Sequence, residues 1–392
     1  MQNLQEQPAN PPPSLGRLFF SFLRLGTTAF GGPAMIVHIR ELAVGRKRWL
    51  DQDSFRDGVA LCQAIPGATA MQVAAYVGLR LRGVRGAIAG YLGFGLPAFF
   101  FMLALSALYA RSHAQPAMVA IFSGLQAIIV AIVANATLSF GRSSLTSWQN
   151  GVVALMAAVL FGLAAHPILI LSLAALLSLL LSNGQPVMQQ AKLRAPMPAT
   201  TLPLLFLLTA TAAGFALLAF FRYDLAQLGL LMARIDLLAF GGGFASVPLL
   251  FREIVETRAW LDAATFLDGI ALGQLTPGPI VITATFVGYL LNGLAGALIA
   301  TVGMFLPSLL LVIGTAPHFS RLRTSRLFSR AIDGVLCSFV GLLFTVAIRF
   351  ALHVHWDLPH LFLAATAFGA LLKKTDLLWV VLVGATVSIL LL

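Results

Sequence analysis

Charge is scarce in this chain of 392 residues. Only 10% of its residues are Asp, Glu, Lys or Arg, against roughly a quarter in a soluble globular protein. Cysteine is scarcer: Cys62 and Cys337 each sit inside an apolar run, and no spacing suggests a disulfide or a metal site. The seven histidines are scattered. His353 and His355, two apart, do not share a helical face. There is no phosphate-binding Gly-rich loop followed by Lys and Ser or Thr, which excludes ATP as the energy source, and nothing resembles a catalytic triad. The first 14 residues are polar and end in Pro11-Pro12-Pro13. They lack the charged start and short apolar core of a removable signal peptide. No cofactor or metal is expected.

What is present is apolar surface. Hydrophobic residues make up 59% of the chain and the mean hydropathy is +0.91. A water-soluble fold cannot hide that much, so a cytosolic enzyme, a disordered scaffold and a secreted disulfide framework are excluded. A polytopic all-α membrane protein remains. The net charge of +11 comes from 25 Lys and Arg, 21 of them Arg, against 14 acids. These basic residues cluster in short loops between apolar segments. That pattern marks membrane topology rather than nucleic-acid binding, and it also favours anions nearby.

Apolar runs fall at about 15–38, 57–80, 86–110, 117–140, 150–165, 167–182, 201–221, 225–250, 267–291, 294–316, 331–351, 358–372 and 375–392. We expect about 10–13 membrane segments. A repeat organises them. Phe30-Gly31-Gly32 recurs as Phe240-Gly241-Gly242, Arg40-Glu41 as Arg252-Glu253, and Trp49-Leu50-Asp51 as Trp260-Leu261-Asp262. From Phe55 to Gly67, eight of thirteen positions are identical to those from Phe266 to Gly278. The offset of 210 to 212 holds through Gly83/Gly293, Pro97/Pro307 and Gly124/Gly334. The expected organisation is a polar tail (1–14), a first repeat (15–182), a linker with an extra membrane segment (183–221) and a second repeat (222–392). Doubling of this kind is typical of secondary transporters, whose site lies between the repeats near the bilayer midplane. Six segments plus one is odd, so the second copy should be inverted. The loop charges agree if 57–80 and 267–291 fold back as re-entrant hairpins, and they fit a parallel arrangement if those segments span.

Five groups of residues are candidates for chemistry. Gln63 with Pro66-Gly67, and Gln274 with Thr276-Pro277-Gly278, lie inside apolar segments where proline breaks the helix. Thr276 reads as an N-cap with Pro277 in the first turn. A half-helix start at membrane depth presents free N–H groups to an anion; a structural kink is the plain alternative. Gly31-Gly32 and Gly241-Gly242 permit close approach of a ligand or of another helix. Arg24 and Arg234 each precede Phe-Gly-Gly by six residues, inside apolar runs where an arginine costs about 2.5–3.5 kcal/mol. Converging, they would suit a tetrahedral oxyanion; snorkelling to the interface is the alternative. Asp236 lies two residues on, within reach of neutralising Arg234, where copy one has Gly26. Arg40, Glu41, Arg252, Glu253 and Asp236 are candidates for gating or proton coupling; the Arg-Glu neighbours form solvated local pairs in the plain alternative.

These duplicated motifs resemble the chromate ion transporter family of bacterial inner-membrane proteins. The likeness rests on Phe30-Gly31-Gly32-Pro33, Arg40-Glu41, Gln63 with Pro66-Gly67, and their partners Phe240-Gly241-Gly242-Gly243, Arg252-Glu253 and Gln274 with Pro277-Gly278-Pro279. It covers essentially the whole chain. The resemblance implies a multi-pass inner-membrane protein with oppositely oriented halves that exports chromate, driven by the proton gradient and conferring chromate resistance. Its partners would be the lipid bilayer, chromate or a sulfate-like oxyanion, and protons; a homodimer is compatible with this reading. The rivals are a transporter of sulfate or another tetrahedral oxyanion and a membrane-embedded enzyme acting on lipid phosphates.

Overall fold

The computed structural model describes residues 12–30, 34–113, 115–181, 200–319 and 325–392. Candidates Gly31 and Gly32, and most of the polar linker before residue 200, lie outside them. Among the described residues every regular element is helical. Seven helices belong to copy one: α1 (Leu15–Gly26), α2 (Ala34–Arg40), α3 (Gln52–Ala64), α4 (Thr69–Ser112), α5 (Pro116–Ser144), α6 (Trp148–Gly162) and α7 (Pro167–Leu181). A single helix, α8 (Thr201–Phe221), follows. Copy two repeats the order with α9 (Tyr223–Leu238), α10 (Ser246–Phe251), α11 (Ala263–Leu275), α12 (Thr283–Thr315), α13 (Arg326–His353), α14 (Leu358–Leu372) and α15 (Leu377–Leu391). Five helical stretches are long and apolar enough to cross a membrane, including 69–112, 116–144 and 326–353. The outer surface is studded with exposed Phe20, Leu155, Leu180, Phe206, Phe220 and Leu390, as a lipid-facing belt requires.

The duplicated motifs have local physical jobs. α2 runs into a π-helical turn, Glu41–Arg46, and α10 into another, Arg252–Thr257. Each turn aligns residues five apart, which pairs Arg46 with Glu41 and Arg258 with Glu253. Trp49 then donates its backbone N–H to Ala43 (2.7 Å), as Trp260 does to Ile254 (2.8 Å). Asp51 caps α3 by accepting from the Ser54 N–H (2.7 Å), and Asp262 caps α11 through Thr265 (2.8 Å). Trp-Leu-Asp is therefore a loop-closing and helix-starting unit.

Neither α4 nor α12 is one rod. At Arg82-Gly83 and Asn292-Gly293 the backbone leaves helical geometry, with φ of 62° at Gly83 and 58° at Gly293. The chain reverses there: Gly78 abuts the Gly86 carbonyl, and Gly288 the Gly296 carbonyl. The first limb of α4 also folds back on α3, because Gly58 lies against the ring of Tyr76; Gly269 lies likewise against Phe286. Segments 57–80 and 267–291 are thus re-entrant hairpins. In copy two, α9 and α10 also fold back on each other, since Arg234 reaches Glu253 across the Gly-rich tip at 3.9 Å.

The two copies enter from opposite faces. Arg82, at the base of copy one's hairpin, donates to the carbonyls of Pro13 (2.7 Å) and Pro12 (2.9 Å) just before α1. Asn292, its counterpart, bonds Asp224 (2.8 Å) at the start of α9. The second limb of α4, at about 1.5 Å per residue, is long enough to cross a bilayer. Near its far end Tyr109 donates to Asp268 (2.8 Å), in the second turn of α11. The end of α4 remote from Arg82 therefore meets the base of copy two, and the repeats are inverted. Packing is exchanged as well: α5 packs on α14 and α15, and α13 on α6 and α7. The face that carries Arg82, here the first face, also holds Arg46, Lys47, Arg48, Arg56, Arg80, Arg85, Arg142 and Arg326.

Candidate functional site

The helix breaks of the two repeats are locked to each other. Gly67 N–H donates to the Ala239 carbonyl (2.8 Å), just before Phe-Gly-Gly of copy two, and Gly278 N–H donates to Ala29 (3.0 Å), just before Phe-Gly-Gly of copy one. Gly67 and Gly278 both have φ of 114°. That geometry is open to glycine and strained for any other residue. Each break is thus bonded to the segment just before the other copy's Phe-Gly-Gly.

A cavity of about 460 Å³ lies at this crossing. Gln63, Gln274, Thr276, Gly278, Gly241 and Gly242 line it, all expected site residues. Pro66, Gly67 and Pro277 stand behind the lining. The wall also includes Thr69, Ser139 and Ser143, which the sequence analysis missed. Their signal is visible in retrospect. Thr69 opens the helix after the break, and Ser139 and Ser143 are four apart on α5, so they share a face.

The electrostatics of the cavity are those of neutral donors. Among the described residues no Asp, Glu, Lys or Arg lines it. Helices begin around it at Thr69, Gly243, Ile280 and, two residues before Ile36, Ala34. Two of them, Gly243–Ala245 and Ile280–Ile282, are single 3-10 turns; helix starts in general carry N–H groups without intrahelical partners and a positive dipole end. Gln274 is 8% exposed and its Nε2 has no acceptor. A buried amide donor without a partner is costly, and this one stands in the wall of a cavity. The arrangement can take a small hydrogen-bond acceptor, above all an anion. Among the described residues no group of three or more His, Cys, Asp and Glu could hold a metal ion.

The arginines are elsewhere. Arg24 is exposed in the last turn of α1, and neither it nor Arg234 lines the cavity. Arg234 pairs with Glu253 (3.9 Å) and touches His166. Asp236 does not neutralise it; that carboxylate is 1% exposed and accepts from Ser308 instead. Thr276 caps the end of α11, not the start of the next helix, and its hydroxyl donates back to Gly273 (2.9 Å). The next helical residues begin only at Ile280, because Pro277 and Pro279 hold the intervening backbone extended.

Inverted repeats with equal sequences would be equally open on both faces, and these are not. On the second face Glu253 pairs with Arg258, and Arg349 of α13 with Glu256. Arg252 donates to the carbonyls of Ala164 and Ala165 at the α6–α7 turn. Both Arg252 and Arg349 lie over the ring of Phe161, at 5.5 and 5.3 Å. Phe251, Phe266 and Phe350 cluster nearby with tilted and edge-to-face rings. On the first face the counterparts of Glu256 and Arg349 are Val44 and Ser139, and the counterpart of Phe350 is Phe140, which lines the cavity. There Arg46 and Glu41 are 74% and 55% exposed, and Arg40 bonds only Gln52 (2.9 Å). The cavity reaches the last turns of α5 and is open on the first face, whereas an ion-paired and aromatic layer closes the second.

Replacing the closing pair by its copy-one equivalents, Glu256→Val with Arg349→Ser, should loosen that layer. With a cysteine introduced at Gly273, labelling from the second face by an impermeant thiol reagent should rise about tenfold, the effect of roughly 1.4 kcal/mol on a two-state balance. Unchanged labelling would show that the pair does not hold the layer shut.

The sequence profile described as "Chromate transporter" matches residues 16–179 and 226–389, once per repeat. An uncharacterized transporter of Methanocaldococcus jannaschii is 40% identical over 384 residues, 97% of this chain and 95% of that protein. The chromate transport protein of Cupriavidus metallidurans is 31% identical over 370 residues, 93% of this chain and 89% of that protein. The one from Pseudomonas aeruginosa is also 31% identical, over 371 residues, 92% and 86% respectively. No solved structure matches the chain. With both repeats matched, paired across the membrane and enclosing a neutral cradle between their breaks, the chain belongs to the chromate transporter family.

Proposed function

We propose that the protein is a secondary active transporter that exports chromate across the bacterial inner membrane, against protons, and so confers chromate resistance. The observation that carries this reading is the buried, acceptor-less amide of Gln274 in a cavity ringed by helix starts. Chromate is a dianion with four acceptor oxygens. Neutral donors hold such an ion while leaving it able to depart, whereas arginines at the same depth would bind it too firmly for turnover. The crowding of basic residues on the first face supports a cytoplasmic position for that face. The open cavity would then load from the cytoplasm. Residues 15–182 and 222–392 act as the two rocking halves, with the α8 segment within 183–221 turning the second one over. By their sequence correspondence to Gly241 and Gly242, Gly31 and Gly32 are proposed to contact the ion as well.

The gating role falls to Arg252, Glu253 and Arg234 on the closed face and to Arg40, Glu41 and Arg24 on the open one. Exchanging which set is paired would exchange which face is open, the symmetry that inverted repeats provide. The Arg-Glu pairs were the support for an enzyme acting on lipid phosphates. In copy two Glu253 is engaged with Arg258 and Arg252 with backbone carbonyls, which supports transport over that reading.

The test is flux of labelled chromate in proteoliposomes, with and without an imposed pH gradient. Gradient-dependent uphill movement is expected; no chromate movement in either condition would overturn the reading. The cavity wall holds no group that separates chromate from sulfate by charge or shape, so unlabelled sulfate should compete. If sulfate moves and chromate only blocks it, the alternative substrate is the right one.

A further inference from the structure

Asp236 is the carboxyl group that the substrate cavity leaves unused. It lies on α9 between the two helix breaks, 1% exposed, with its two oxygens 2.9 and 2.7 Å from the single hydroxyl of Ser308 on α12. No cation faces it. On α12 the neighbouring polar group is Ser308; on α4 it is Tyr91, whose hydroxyl is committed to the Phe305 carbonyl (2.6 Å). α8 and α10 carry no charged residue. Arg234, two residues along α9, is turned to Glu253 and His166. A carboxylate held by Ser308 alone, through its hydroxyl and backbone N–H, and with no counter-charge among the described residues, is poorly supported at this depth, while its protonated form is neutral.

Its surroundings connect it to the break. Ser308 Oγ lies 1.8 Å from the point where a Cβ on Gly67 would sit, and Gln72 Nε2 lies 2.9 Å from the same point. Gln72 Nε2 donates to the Pro66 carbonyl (2.5 Å), but its buried Oε1 has no donor. When Asp236 is ionised, the Ser308 hydrogen is held by the carboxylate. When Asp236 carries a proton, its own O–H donates to Ser308 Oγ, and the Ser308 hydrogen is released from the carboxylate beside Gly67, where the Gln72 amide also lies. One proton is taken up, and only the hydrogen bonds around Ser308 change. Copy one has Gly26 and Ala98 at the positions of Asp236 and Ser308, so the device is present once and not as a pair.

We propose that Asp236 binds and releases the coupling proton, and that the Ser308 hydroxyl and the Gln72 amide pass its protonation state to the Pro66-Gly67 break. This rests on the chromate–proton exchange proposed above. Asp268 is the comparison: it is also buried, but it accepts from two separate donors, Tyr109 (2.8 Å) and Gln126 (2.8 Å), near the second face and away from the breaks.

The experiment uses proteoliposomes and two modes, uphill chromate flux driven by an imposed pH gradient and chromate–chromate exchange without one. Asp236→Asn should lower the driven flux by about tenfold or more and leave exchange within about twofold of wild type. Asp268→Asn should keep both modes. Ser308→Ala, which removes the donor to the carboxylate, should move the pH profile of driven flux to more alkaline pH. Gradient-driven flux that survives Asp236→Asn, an Asp236→Asn protein that loses exchange as well, or an unmoved profile in Ser308→Ala would each overturn the assignment. A wild-type protein that moves no chromate in either mode overturns the transport reading and this assignment with it.

Discussion

Gly67→Ala should abolish chromate transport. The substitution meets two obstacles at once. At φ of 114° an L side chain is strained, which costs about 1–2 kcal/mol. The added Cβ would also fall 1.8 Å from Ser308 Oγ and 3.0 Å from Ser308 Cβ, an overpacking that costs about 1–3 kcal/mol more if the neighbours give way. The easiest relief is to pull the break away from α12, which stretches the bond from Gly67 N–H to Ala239 and separates the copies where they cross. A loss of at least about tenfold in flux is expected, with a fall in the melting temperature of the purified protein. Gly278→Ala should follow more mildly, since its Cβ would meet only the Ala98 methyl, at 2.8 Å. Gly16→Ala and Gly151→Ala, with nothing within 4 Å of the new Cβ, should be silent in both measurements.

The second large effect is expected at Gln274. Gln274→Leu keeps the volume of the side chain and removes its donor, so the wall still packs. A hydrogen bond to a charged ligand is worth about 1.5–3 kcal/mol, which predicts roughly 10- to 150-fold weaker chromate binding. Gln63→Leu should cost less. Gln63 is its counterpart by sequence, but it is exposed at the open mouth, where water competes for the same oxygens. Binding by purified protein, read as displacement of labelled chromate, separates the two. Equal effects at both positions would mean that the cavity binds the ion symmetrically.

Much of this architecture was legible because it was written twice. Repetition of Trp-Leu-Asp, Phe-Gly-Gly and Gln-x-x-Pro-Gly at one offset marked the breaks, and in the structure those breaks bond each other across the repeats. The fold-back of the hairpins was harder to read. It depends on Gly58 fitting against Tyr76 and Gly78 against the Gly86 backbone, contacts that a run of apolar residues does not advertise. The arginines misdirected the reading for a physical reason. A charge inside an apolar run must have a destination, but a long side chain can reach it sideways. Arg234 reaches Glu253 and His166, in segments far along the chain, and leaves the ligand cavity to neutral groups. The closing pair Glu256–Arg349 was invisible because its two members stand where the first copy has Val44 and Ser139. A comparison of copies looks for identity, whereas the asymmetry of the gate lies in the differences. Gln72 and Ser308 were passed over similarly, as single polar residues in apolar segments whose only mark is burial.

The central claim is that an oxyanion is held between the helix breaks by neutral amides and hydroxyls, without help from the arginines. Equilibrium binding of labelled chromate to the purified protein, compared among wild type, Gln274→Leu and the double variant Arg24→Ala/Arg234→Ala, tests it most directly. The account predicts that the glutamine variant loses binding by at least about tenfold while the double arginine variant stays within about threefold of wild type. Binding that survives Gln274→Leu and disappears with the arginines would contradict it.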